Sequence, residues 1–254
     1  MIDSHCHLTD PRLGDQLDAV LDRAVDAGVT QFVTIGTDPD DAVHAIAVCE
    51  KHPTRVRCAI GIHPNHCQTV ELSAVGQIRD LAGHRSVVAI GEMGLDYFHR
   101  LSDRARQRQF FEAQLNLAAE TTRPVVIHCR EAVDDAIAVL RSFPTVRSVF
   151  HCFTGTVDEA VRIVEAGHML GFTGPITYKK NDELREAVRL TPIERILVET
   201  DAPYLSPEPV RSQKTCEPAF VAHTLAMVAR VKGILLQEAD RATTENTNRF
   251  YGMP

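Results

Sequence analysis

Short runs of apolar residues alternate along the chain with longer stretches whose apolar positions recur every three or four residues. The runs QFVTIG (31–36), RCAIGI (57–62), VVAIGE (87–92), PVVIHC (124–129), VRSVFHC (146–152), HMLGFTG (168–174) and RILVET (195–200) predict buried strands, and MIDSHCH at the start predicts an eighth. Between them, LGDQLDAVLDRAVDAG, DPDDAVHAIAVCEKH, TVELSAVGQIRDLAG, LSDRARQRQFFEAQLNLAAET, EAVDDAIAVLRSF, TVDEAVRIVEAG, NDELREAVRL and EPAFVAHTLAMVARVKG predict helices. Several of these start on Asp, Ser or Thr and end in Gly, as capping physics favours. The closing stretch ILLQEADRATTENTNRFYGMP predicts one or two further helices on the outside.

Strands joined only by helical crossovers must lie parallel, and eight such units close into a (β/α)₈ TIM barrel. A doubly wound open sheet is the alternative, weakened because no Gly-rich fingerprint follows the first strand. One α/β domain spanning 1–254 is therefore expected.

Composition adds bounds. The chain is 44% hydrophobic and 24% charged, ordinary for a soluble globular protein. It has no run of 18 apolar residues, and Asp3 stands where a signal peptide would carry positive charge, so a cytoplasmic location is expected. Seven cysteines without a CxxC pair argue against a disulfide framework and a thiolate zinc site. A formal net charge of −7 argues against a broad basic surface for nucleic acid, although it leaves room for a local positive site.

In a barrel of this kind, chemistry collects at the C-terminal ends of the strands. Those ends carry His5 and His7 (strand 1), His63 (strand 3), Glu92 (strand 4), His128 (strand 5), His151 (strand 6), and Glu199 and Asp201 (strand 8). Side chains alternate faces along a strand, so His5 and His7 share one face while Cys6 takes the other. By the same alternation Cys129 and Cys152 turn away from the axis, and all three thiols drop out as ligands. Imidazoles with carboxylates suit Zn²⁺ or another divalent ion, and a pair of ions bridged by Glu92 accounts for the donor surplus. His44, His52, His84, His168 and His223 fall on helices, in far-side loops or at a strand's beginning and are read as ordinary structural histidines.

The motifs DSHCHL, GIHP, GEMGLDY, PVVIHCREA, HCFTG, GFTGPITYKK and LVETDAPYL resemble, in order and spacing, those of the TatD family of the amidohydrolase superfamily, across essentially the whole chain. The resemblance implies a two-metal centre, with His5 and His7 on one ion, Glu92 bridging, and His128 and His151 on the other. Asp201 then binds metal and handles the proton of the nucleophilic water. It implies metal-dependent hydrolysis of DNA phosphodiesters, as a 3′ to 5′ exodeoxyribonuclease on single strands. Two departures stand out. Members commonly read HPH after the third strand where this chain reads HPNH, so His63 carries over and the next histidine's phosphate-facing role falls to Asn65 or His66. Members read RxKNEP after strand 8 where this chain reads RSQKTCEP, with Cys216 in place of Asn while Glu217 and Pro218 remain.

Phosphate contacts are expected from His63, His66, Arg130, Lys179 or Lys180, and Arg211 or Lys214, while Tyr97 and Phe98, with His99, offer a stacking surface. The expected partner is single-stranded DNA as substrate, with no membrane and no obligate protein partner. Rival readings are a hydrolase of a small phosphoester, amide or lactone, which leaves the loop cations unexplained, and a non-catalytic metal-stabilised scaffold, which requires closed coordination.

Overall fold

In a computed structural model, the described residues are Met1–Met253. Eight strands run β1 (Ile2–Cys6), β2 (Gln31–Gly36), β3 (Val56–Ile60), β4 (Val87–Asp96), β5 (Val125–Arg130), β6 (Ser148–Phe150), β7 (Met169–Phe172) and β8 (Ile196–Val198). They form one sheet in the order β1 to β8, with parallel pairing wherever the register is defined. A parallel bridge from Cys6 to Ala202 links the end of β1 to the segment after β8. The sequential order is that of the (β/α)₈ barrel and excludes the doubly wound alternative, whose strand order reverses.

The crossovers are α1 (Pro11–Gly14) and α2 (Leu17–Asp26), then α3 (Pro39–Lys51), α4 (Val75–Leu81), α5 (Arg104–Thr121), α6 (Val133–Leu140), α7 (Val157–Glu165) and α8 (Asp182–Leu190). After β8 come α9 (Val221–Lys232) and α10 (Leu236–Tyr251). Local chemistry sets these boundaries. Asp38 caps α3 ahead of Pro39, Thr156 and Glu159 form a capping box on α7, and α9 and α10 end at left-handed Gly233 and Gly252. Among the described residues no single helix is long and apolar enough to cross a membrane.

Three expected spans change. The first helix is broken in two at Gln16, whose backbone leaves the helical region just after the weak helix former Gly14. The helix expected from Thr69 begins at Val75 after a 3₁₀ turn at Leu72–Ala74, because Arg106 of α5 donates to the carbonyls of Cys67 and Val70 and holds that segment as loop. Strand 4 does not stop at Glu92. It continues to Asp96 and is buried at every position.

The chain divides into two compact units, Met1–Thr34 with Cys152–Pro254, and Ile35–His151. In the second, buried glutamines on α5 fix the loop after β3 and the end of β4. Gln114 accepts from Ile62 N at 2.7 Å and donates to Ile62 O at 3.0 Å. One turn pair earlier, Gln107 accepts from Asp96 N at 2.7 Å and donates to Asp96 O at 2.8 Å. Gly94 pairs with His128 across β4 and β5, and a side chain there would collide with the His128 carbonyl. In the first unit, fully buried Asp3 accepts from Thr200 N at 2.9 Å and from Thr200 Oγ1 at 2.6 Å, fixing the turn after β8.

Replacing Gln107 by Leu keeps roughly the side-chain volume and strands the N–H and C=O of buried Asp96. The expected cost is about 1–3 kcal/mol in urea unfolding. A loss below about 0.5 kcal/mol would show that this amide does not hold the end of β4.

Candidate metal centre

Each unit carries its own cluster of donors. In the first, His5 lies within β1 and His7 just beyond it. The backbone around them is tied to the turn after β8, with Asp201 N donating to His5 O at 3.0 Å and His7 N donating to Ala202 O at 2.7 Å. Asp201 has φ 58°, a left-handed conformation that aspartate tolerates better than most residues. Asp201 Oδ1 lies 3.2 Å from His7 Nε2 and 3.6 Å from His5 Nε2, and the two imidazole nitrogens are 3.4 Å apart. These three donor atoms are close enough to share one ion.

In the second unit the convergence is tighter. Glu92 Oε1 lies 2.7 Å from His151 Nε2, 2.8 Å from His128 Nδ1 and 3.3 Å from His63 Nε2. One carboxylate oxygen has fewer lone pairs than it has neighbouring imidazole nitrogens here, which is the arrangement expected around a cation. Burial alone would raise the Glu92 pKa, yet the imidazoles of His151 and His63 and the bond with His128 hold it well below the usual carboxylate range. Burial pushes His63 down to about 4, against the pull of Glu92, so it is neutral and competent as a ligand at pH 7. For His128 burial acts downward, but bonds to Asp96 and Glu92 raise its pKa overall. A bound divalent ion would supply the positive charge that this proton provides. The donor sets of both clusters thus fit divalent metal.

Each expected site residue has a definite place. His63, expected among the phosphate contacts, lies inside the second unit's donor cluster. At the HPNH departure, Asn65 Nδ2 donates to Asp96 Oδ2 at 3.4 Å, while the His66 ring lies by Thr37 O at 3.2 Å and remains partly exposed. Arg130 ends β5 with its guanidinium 5.3 Å from the Phe98 ring. Lys179 is exposed after the 3₁₀ turn that follows β7, and Arg211 packs 3.8 Å over the Tyr178 ring. Cys216 is fully buried with its N–H on Pro203 O at 3.0 Å, and Glu217 pairs with Arg23 through two 2.8 Å bonds, so the local turn is held by other contacts. None of the cysteines joins a donor cluster among the described residues, and the Cys6 thiol faces Val33 O.

Asp96 is a further carboxylate at this cluster, not among those expected from the sequence. Its Oδ2 lies 2.9 Å from His128 Nε2 and 2.7 Å from His99 Nδ1, while Oδ1 accepts from Phe98 N and His99 N. Burial opposes its charge, but the bonds with His128 and His99 keep it ionised. The signal was the spacing in GEMGLD, where Glu92 and Asp96 fall on one face of a single long strand. Glu199 follows β8 directly, at the expected strand end, but joins no donor cluster among the described residues. It accepts from Cys152 N and from Ser4 Oγ, and Gly171 leaves room for its carboxylate.

The model of the TatD related DNase family matches residues 2–252. Over 259 residues the chain is 37% identical to the 3′-5′ ssDNA/RNA exonuclease TatD of Pantoea ananatis, covering 100% of both chains. It is 33% identical over 253 residues to the uncharacterized metal-dependent hydrolase YabD of Bacillus subtilis, covering 99% of this chain and 98% of that one. The crystal structure of YjjV, a TatD homologue of Escherichia coli K12, superposes with a TM-score of 0.94 at 28% identity, over 100% of this chain and 98% of the other. The chain belongs to the TatD-related DNase family of metal-dependent hydrolases and is a hydrolytic enzyme.

Proposed function

We propose that the protein is a 3′ to 5′ exonuclease on single-stranded DNA that uses two divalent ions, one at each donor cluster. The observation that carries this reading is the gathering of His63, His128 and His151 around the single oxygen of buried Glu92. The names of the relatives support the substrate class. Bound divalent ions would polarise a phosphodiester oxygen and supply a hydroxide nucleophile at neutral pH.

The chain's own residues do the rest. Asp201, with a mostly buried carboxylate beside His7, takes the proton of the attacking water at its Oδ atoms. Glu92 stays ionised and fixes the imidazoles of its unit. Asp96 holds His128 at Nε2, so that Nδ1 faces Glu92; this is the carboxylate support that ligating histidines generally have. His66 and Arg130 in one unit and Lys179 and Arg211 in the other carry the phosphates, which gives the loop cations a use that a small neutral substrate would not. We take residues 1–254 to act as one hydrolase domain.

The direct test uses metal-stripped protein given Mg²⁺, Mn²⁺ or Zn²⁺ with single-stranded DNA or RNA labelled at either end. Stepwise release of mononucleotides from the 3′ end is expected, falling by about 10²-fold or more in Glu92→Ala and Asp201→Asn. Intact nucleic acid alongside metal-dependent cleavage of small esters would reject the nuclease assignment.

Asp96→Asn is expected to lower divalent-metal affinity by about 10–100-fold in calorimetric titration, with unfolding still cooperative. Because His128 must give up its raised-pKa proton to bind metal, affinity in the wild type should also fall as the pH drops below neutrality. Unchanged affinity in the variant would remove Asp96 from the support of the site.

A further inference from the structure

Beside the second unit's donor cluster lies a cavity of about 510 Å³, lined by Gln68, Asp96, Tyr97, Arg100, Leu101 and Arg104 among others. Its volume falls within the range of about 300–1,000 Å³ typical of small-molecule sites. Asp96 belongs both to this wall and to the support of His128, so the cavity is one side chain away from the candidate ligands.

The charges in the wall are unevenly committed. Asp96 is occupied by two backbone N–H groups and two imidazoles, and Asp103 caps α5 by accepting from Arg106 N at 2.8 Å. Arg100 and Arg104 have no carboxylate partner among the described residues. Arg100 is held at φ 55°, a backbone conformation that costs a residue with a side chain of order 1 kcal/mol or more. Cationic donors are therefore presented while the acids are already engaged in hydrogen bonds.

An aromatic wall accompanies them. The Tyr97 ring is fixed at one end by its hydroxyl, which donates to Asp135 at 2.7 Å, and is covered by the Arg104 guanidinium 4.0 Å from its centroid. Next to it Phe98 is 52% exposed and Leu101 60% exposed, and Arg130 lies over Phe98. Flat apolar faces bracketed by guanidinium groups are the surface on which nucleobases stack, with the cations taking phosphate oxygens.

We propose that this cavity is a nucleotide subsite that holds one nucleotide of the substrate strand flanking the scissile phosphate, its base against the Tyr97 and Arg104 wall and its phosphate on Arg100. This rests on the nuclease reading above and adds to it the place where the strand is gripped. Arg100 and Arg104 are binding residues in this scheme and touch no reacting atom.

The test places 2-aminopurine at successive positions from the 3′ end of a phosphorothioate-linked single strand and titrates it with the full chain in EDTA at low salt. Quenching confined to one or two adjacent positions is expected, and Arg104→Ala should weaken that binding about tenfold, within the range for losing one base stack. With metal restored and an unmodified phosphodiester strand as substrate, the same variant should raise KM by about tenfold with kcat little changed, and Arg104→Lys should fall between. Circular dichroism and a cooperative melt confirm that each variant folds. If the wild type trims the 3′ end while quenching is the same at every position and Arg104→Ala leaves KM unaltered, the subsite is overturned and the nuclease reading stands. If the wild type cleaves bis(p-nitrophenyl) phosphate but no nucleic acid, the nuclease reading falls and takes the subsite with it.

Discussion

A carboxylate that is 2% exposed keeps its charge only if positive or hydrogen-bonding partners surround it, and Glu92 is such a carboxylate. Meeting that demand constrains three segments of its unit at once. His63 must come round from the loop after β3, His128 must stand on β5, and His151 must follow β6 directly, because each delivers a nitrogen to the same oxygen. β4 itself must run deep enough to carry the carboxylate there, which explains why all of Val87–Asp96 is buried. α5 completes the arrangement by clamping the backbone on either side, at Ile62 next to His63 and at Asp96 next to the end of β4.

The first unit solves a related problem by other means. Its donors sit on β1 and on a left-handed turn, so the turn has to be fixed by something buried. Asp3 does this through Thr200, and burial pushes its carboxyl up to about 8, so it is mostly protonated at neutral pH. A protonated acid bonded to a threonine can hold a turn without setting a second full negative charge beside Asp201. The metal-facing charge in that unit is thus concentrated on one carboxylate.

Features that depend on local pattern were readable in the sequence. The period-two placement of His5 and His7, the apolar runs and the helical stretches between them led directly to the strand order seen, and alternation correctly turned Cys6 away from the imidazoles. Features that depend on what lies across the sheet were not. The glycines of GEMGLD look like the start of a loop, whereas Gly94 is there to let β4 pass the His128 carbonyl, so the strand was cut short and Asp96 was overlooked. Gln107 and Gln114 look like solvent-facing residues, although they share a stripe with Phe110, Phe111 and Ala118 at helical spacing. Their partners are backbone groups on other elements, and no local pattern names those.

For an acidic chain to act on a polyanion, as proposed for this one, its formal charge must be separated from the charge it presents. Here the separation is visible residue by residue. Glu92 and Asp96 spend their charge on imidazoles, Asp103 spends its charge on a helix cap, and Glu217 is paired with Arg23. Arg100 and Arg104 have no carboxylate partner among the described residues, while the guanidinium groups of Arg130 and Arg211 lie over aromatic rings. Net charge therefore says little about substrate in this fold. What matters is which carboxylates are already satisfied, and at the ends of these strands most of them are.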